Sequence, residues 1–273
     1  MAEKQSPFFD KAPVVERVLG VQFVPIVKFT NGHLGAFWQT LDVTEWPHVS
    51  DAPPVPQQFE NFPFGQGVPH LAMFAVNVGF PGARLMIRNR AGDRIIQIQN
   101  GVFNYNWIGQ GEGKSYPRYE KLQSEFFEVL ERFRGFIGGI GDWNPNQWEA
   151  TYLNHIPKGT VWHSPEDWGA AFESYVSLPY RLPGSKLETF GGQWRYEIEP
   201  QRGRLYVDIQ HAHKVDGNKT DEIIALRLTA RGPIVPDKPG WNLADGLASG
   251  HRVIVDGFSK LASANAREFW KER

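Results

Sequence analysis

The chain contains no cysteine, which excludes disulfides, thiolate metal clusters and cysteine nucleophiles together. No stretch approaches the eighteen or so uncharged apolar residues that a membrane-spanning helix requires. The opening MAEKQSPFFDKAP also lacks the apolar segment of a signal peptide. A cytoplasmic protein with no membrane partner is therefore expected. An excess of charge of one sign is missing too, because 29 Lys and Arg face 30 Asp and Glu for a net charge of −1. With no run of basic residues, nucleic acid is a disfavoured partner. The motifs GxGxxG, GxxxxGK[ST], HExxH and GxSxG are all absent. Their absence argues against nucleotide-dependent and serine-hydrolase chemistry, and the sequence implies no cofactor.

What is present is core material, with 273 residues at 41% hydrophobic and 14% aromatic, enough for one large domain or two ordinary ones. The organising stretch is Arg84 to Trp107, RLMIRNRAGDRIIQIQNGVFNYNW, in which two strand-like runs flank the turn Ala91-Gly92-Asp93. A second hairpin, WRYEIEPQRGRLYVDIQHAH, runs from Trp194 to His213 around Gln201-Arg202-Gly203. The outgoing strands align as IIQIQN against LYVDIQH.

Around these hairpins, PVVERVLGVQFVPI from Pro13 reads as a strand, and Leu34, Phe37, Trp38 and Leu41 give a short helix capped by Thr30. Six prolines between Glu45 and His70 predict a long irregular connection. There Phe59, Phe62 and Phe64 are expected to pin the loop over the core, either as a structural cover or as a lid. A strand is expected over His70 to Val78. Ser115-Tyr116-Pro117 then opens a helix whose buried stripe is Tyr119, Leu122, Phe126, Val129, Leu130, Phe133 and Ile137, ended by Gly138-Gly139. After the hinge-like GGIGDWNPN the order restarts: a strand over Gln147 to Ile156, and a helix start at Ser164 with Trp168, Phe172 and Tyr175. The hairpin follows, then a strand over Glu222 to Ala230 and a last helix from Ala248 to Lys271 with Val255, Phe258, Leu261, Ala262 and Phe269 on one side.

The expected fold is α+β, an internally duplicated β-α-β-β-α unit with antiparallel sheets each covered by a long amphipathic helix. The first repeat takes residues 1–140, with the proline-rich loop at 45–70, and the second takes 141–273, as two domains or fused into one. The segments PVVERVLGVQF, YPRYEKL, TYLNHI and HRVIVDGF...LASANAREFW resemble a sporadically distributed group of bacterial proteins of about this length with no established activity. The resemblance covers nearly the whole chain and implies a bacterial source, one duplicated unit, and the patchy occurrence of mobile-element cargo such as defence or toxin-antitoxin components. It supplies no catalytic residues.

Candidate site residues come from the strand ends. His211 and His213 are two apart on a strand and share a face, so both imidazoles could chelate one metal, with His155, Glu149 or His251 as a further ligand. HxH alone is common at exposed strand ends, and ordinary histidines beside the Asp216-Gly217-Asn218 turn are the simpler reading. Asn100 aligns with His211 in the other hairpin, which suggests a polar cleft shared by both halves, walled by Tyr105, Trp107, Tyr152 and Asn154. Ligand-binding candidates are thus Asn100, Tyr152, Asn154, His155 and His211. Arg84, Arg88, Arg90, Arg94, Arg195, Arg202 and Arg204 form a basic rim, more typical of a solvated edge that blocks strand pairing than of a nucleic-acid face. Function then divides between a non-catalytic binding protein for a protein or small-molecule partner and a metal-assisted enzyme using His155, His211 and His213.

Overall fold

The computed structural model describes residues 7–62, 82–109, 116–172, 184–198, 200–217 and 219–273. The strand expected over His70–Val78, together with Phe64 and Tyr175, lies outside them. Nine strands run as β1 (Val14–Phe23), β2 (His48–Ala52), β3 (Arg84–Arg88), β4 (Arg94–Gln99), β5 (Val102–Ile108), β6 (Pro145–Pro157), β7 (Gly191–Ile198), β8 (Gly203–Asp216) and β9 (Lys219–Pro233). Among the described residues four helices accompany them, α1 (Asn31–Trp38), α2 (Tyr119–Ile137), α3 (Leu243–Leu261) and α4 (Ala264–Phe269), with a 3-10 stretch at Pro165–Ala170.

The fold is α+β, built on one antiparallel sheet in the order β2-β3-β4-β5-β1-β6-β9-β8-β7. Separate sheets are replaced by a continuous one because β1 bonds β5 along one edge and β6 along the other, with Leu19 opposite both Tyr105 and Ala150. Outward from the β1/β6 pair, the order is β5-β4-β3-β2 in one direction and β9-β8-β7 in the other, so β2 has no counterpart among the described residues of the second half.

Strand alternation divides the side chains between two faces. On one face lie Leu19, Val21 and Phe23 of β1, Ile96 and Ile98 of β4, Phe103 and Tyr105 of β5, Trp148 and Ala150 of β6, Val207 and Ile209 of β8, and Leu226 and Leu228 of β9, all buried. The two long helices pack on this face. The α2 stripe is buried as its 3.6-residue spacing predicts, and Phe133 meets Phe103 and Phe23 at ring-centroid distances of 5.2 and 5.9 Å. Helix α3 instead brings small residues to the sheet, since an added Cβ at Gly250 would stand 2.7 Å from the Trp148 ring.

Three sequence expectations change in detail. The proline-rich stretch contains a regular element, β2, because no proline falls between Pro47 and Pro53 and His48–Ala52 is free to pair with β3. The last helix is not continuous: Ala262 turns to extended backbone, and the Ser263 side chain caps a new helix by accepting from the Ala266 N–H at 3.0 Å. Phe269 consequently leaves the buried stripe and is half exposed. Part of the hinge-like segment is also packed, with Val24 N–H donating to the Asn144 carbonyl at 2.9 Å and Gly141 against Ile26, while Gly138 and Gly139 are exposed.

Candidate functional site

The face away from the long helices is polar. Glu16, Val18, Gly20 and Gln22 of β1 share it with Gln97 and Gln99 of β4, Asn104 and Asn106 of β5, Gln147, Glu149 and Thr151 of β6, Arg204 and Tyr206 of β8, and Arg227, Thr229 and Arg231 of β9. Residues 53–62, the described part of the proline-rich segment, cross it as a strap. Three sheet glutamines hold the strap by pairing their side-chain amides with its backbone, so a side chain does what a neighbouring strand does elsewhere. Gln99 accepts from Val55 N–H at 2.8 Å and donates to the Val55 carbonyl at 2.7 Å. Gln22 accepts from Gln58 N–H at 2.7 Å and donates to the Gln58 carbonyl at 2.9 Å. Gln147 accepts from Glu60 N–H at 3.3 Å. In the other direction, Gln57 donates to the carbonyls of Phe23 and Gly101, both at 2.8 Å.

The strap ends in a buried ion cluster. Glu60 pairs with Arg204, with Arg231 at 3.3 Å and with the Tyr206 hydroxyl at 2.8 Å, while Arg231 also donates to Glu149 at 2.7 Å. Burial alone would lower the Arg231 pKa, but Glu149 and Glu60 together raise it above the usual value. Phe62 lies on the Arg204 guanidinium at 4.7 Å, and Phe59 is exposed. Among the described residues the strap is thus pinned by amides and charge, with Phe59 exposed and Phe62 resting on an arginine instead of on the apolar core.

Beside the strap lies an open trough of about 420 Å³, lined by groups from both sides of the β1/β6 pair. One wall is a hydrogen-bonded relay. Arg84 donates to Gln97 at 2.8 Å, Gln97 to Asn106 at 3.0 Å, and Asn106 to Glu16 at 2.5 Å. Opposite it, the hydroxyls of Thr151 and Thr229 bond to each other at 2.9 Å. Asn104 lines the trough with its carboxamide lying over Gly20, where any Cβ would overlap it. Among the described residues, the side chains of Asn104 and Arg227 make no hydrogen bond. No family model, curated protein or solved structure matches this chain.

The residues singled out in the sequence are dispersed. Asn100 is used structurally, accepting from Ile26 N–H at 2.8 Å and donating to the Ile26 carbonyl at 3.0 Å. His211 is buried between Phe190 and Trp162 and bonds Glu222 through Nε2 at 3.0 Å. His213 follows on the same face of β8, with its ring 5.5 Å from that of His211. His155 faces the other way: it pairs with Ala225, which pairs with Gln210, whereas His211 pairs with Ile224. The suggested triad of His155, His211 and His213 is therefore split by strand alternation, and among the described residues no group of three His, Asp or Glu side chains is placed to hold a metal. Of the rim arginines, Arg94 reaches Glu125 on α2 at 2.7 Å and Arg204 reaches Glu60. Tyr152 and Asn154 come together, but in a different cavity on the helix side that also holds His251. The alternation of Gln97 and Gln99 with buried isoleucines marks this face as the uncovered, polar one, but the residues of the trough are not among the candidate site residues because its amides and threonines read as ordinary solvent-facing residues. Its one signal was Gln22, Gln97 and Gln99 recurring in strands otherwise rich in Val and Ile.

Proposed function

We propose that this chain is a non-catalytic binding protein whose trough takes an extended peptide segment of a protein partner. The supporting observation is the strap: this face already holds an extended polypeptide through glutamine amides, and the trough continues the same chemistry beside it. Side-chain amides both donate and accept, as a peptide backbone requires, and the charges around the trough include Arg84, Arg227, Glu16 and Glu149, a mixture that suits a neutral backbone better than a highly charged ligand. The reading includes the duplication of a β-α-β-β-α unit. That part is supported by the mirrored strand order about β1/β6, the equivalent positions of Ile96 and Ile98 with Val207 and Ile209, and the long helix that follows each set of strands. An accessory role in a bacterial defence or toxin-antitoxin system rests on the sequence resemblance alone. The metal-assisted alternative lacks a favouring observation, since its histidines lie on opposite faces.

The test is selection of peptides from a displayed random library against the whole protein, followed by affinity measurement with Asn104→Trp and Thr229→Tyr, which fill the trough. Selected peptides are expected to lose at least about tenfold in affinity, equivalent to about 1.4 kcal/mol. Equal binding by wild type and filled variants, or no enrichment at all, would reject the reading.

A further inference from the structure

The opposite side of the sheet carries a second site. Arg17 sits on β1 in register with Leu19, Val21 and Phe23, on the apolar face, and is only 5% exposed. Its guanidinium lies between the rings of Tyr116 and Tyr152, 4.4 and 4.6 Å from their centroids, and Nη1 donates to the Pro117 carbonyl at 2.9 Å. Its Nε has no partner. Among the described residues no carboxylate pairs with this arginine. A buried cation without a counter-ion is costly, and two ring faces, the Tyr116 hydroxyl and one carbonyl offset only part of that cost.

Arg17 also lines a cavity of about 330 Å³ between α2 and α3. The amino end of α2 opens onto it, with Arg118, Tyr119 and Glu120 in the lining, and no side chain caps this 19-residue helix. An uncapped helix start presents free N–H groups and positive potential to whatever lies before it. The remaining walls are apolar, chiefly Phe8, Phe9, Val14, Ile254, Val255 and Phe258. His251 stacks on Tyr119 with ring centroids 4.0 Å apart, and its Nδ1 lies 2.7 Å from the Tyr152 hydroxyl. Burial, reinforced by the charge of Arg17, pushes its pKa down to about 3, so it stays neutral and adds no second cation. The one carboxylate of the lining, Glu120, is exposed at the cavity edge.

We propose that this cavity binds a small organic anion with an apolar body, its carboxylate or phosphate group resting between Arg17 and the start of α2. The charged end supplies the counter-ion that the described residues do not, and the phenylalanine and aliphatic walls take the rest. The volume is at the small end of ligand sites, which limits the occupant to something near the size of a substituted ring or a short acyl chain. This site is separated from the trough by the sheet, so either can fail without the other.

The experiment uses the full chain with four probes: phenylacetate, phenyl phosphate, inorganic phosphate and the neutral 2-phenylacetamide. Calorimetry and thermal melting are expected to show millimolar or tighter binding of one or both aromatic anions, little binding of inorganic phosphate, and none of the amide. The preferred anion tells a carboxylate site from a phosphate site. Arg17→Met, close in length and uncharged, and Val255→Phe, which fills the cavity from α3, should each weaken that binding at least tenfold. Should Arg17→Met fail to fold, Val255→Phe and the anion-to-amide comparison decide. Absence of binding by both aromatic anions, equal binding of 2-phenylacetamide, or undiminished binding by Val255→Phe would overturn the proposal.

Discussion

Trp148 governs how closely α3 approaches the sheet. The indole fills the space that helix side chains would otherwise take, so the residues above it are Gly246 and Gly250, and a Cβ at either would overlap the ring. Replacing a helix glycine by alanine normally stabilises by up to about 1 kcal/mol. Here the indole is fully buried and cannot move aside, so overpacking at about 1 to 3 kcal/mol wins. Gly250→Ala is therefore expected to destabilise the protein in urea unfolding, and to become neutral or favourable in a Trp148→Leu background. His251 gives a second prediction. The unfolded imidazole takes a proton near its ordinary value of 6.5 and the folded one only near 3. Between those values the unfolded state holds the extra proton, and stability falls as pH falls, by up to about 1.4 kcal/mol per unit. His155, depressed by burial, acts with the same sign, and Glu222, whose pKa is lowered chiefly by a hydrogen bond from Lys158, contributes only below the ordinary carboxylate value of 4.5. The measurement is thus the difference between wild type and His251→Gln from about pH 4.5 to 6.5, where the variant should show a shallower loss.

Among the elements, the strap depends most on single side chains. Removing Glu60 leaves Arg204 and Arg231 buried beside each other, and Arg231 retains only Glu149 as an ion-pair partner. Glu60→Ala is expected to cost about 3 kcal/mol in chemical denaturation, the lower end of the range for removing one partner of a buried ion pair. It should also raise hydrogen exchange along residues 53–62 before the sheet exchanges. Helix α2 depends instead on its stripe, and Phe126→Ala should cost about 3 to 5 kcal/mol by differential scanning calorimetry. The two elements were not equally legible. Tyr119, Leu122, Phe126, Val129, Leu130, Phe133 and Ile137 announce their helix because one apolar face repeats within a single segment. The strap is anchored by Gln22, Gln99 and Gln147, each far from it in sequence and each reading alone as a solvent-facing residue. Arg17 was readable in principle, since it occupies an apolar-face position in a strand whose other such positions are Leu, Val and Phe. Tyr152 and Asn154 could be marked as wall residues, but only folding showed which wall. Nothing in the spacing of Asn100 foretold that its amide would be consumed by the Ile26 backbone.

At the scale of the whole molecule, the central pair β1/β6 makes each half an incomplete sheet. Residues 7–140 alone would expose the β6-facing edge of β1, and residues 141–273 the β1-facing edge of β6, both long runs of unpaired backbone. Neither half is expected to be a folded monomer by size-exclusion chromatography and circular dichroism, whereas the two expressed together should reassemble through that edge. The same connectivity bears on how the protein is made. Strand β1 leaves the ribosome first, yet its partner β6 follows only after β2 to β5 and α2. At about 5 to 20 residues per second, that interval lasts from several seconds to about half a minute. For that time a nascent chain presents a central strand as if it were an edge, and neighbouring chains on one message present the same edge. Crowded translation therefore favours domain-swapped pairs, and slower initiation on the message should raise the yield of monomer.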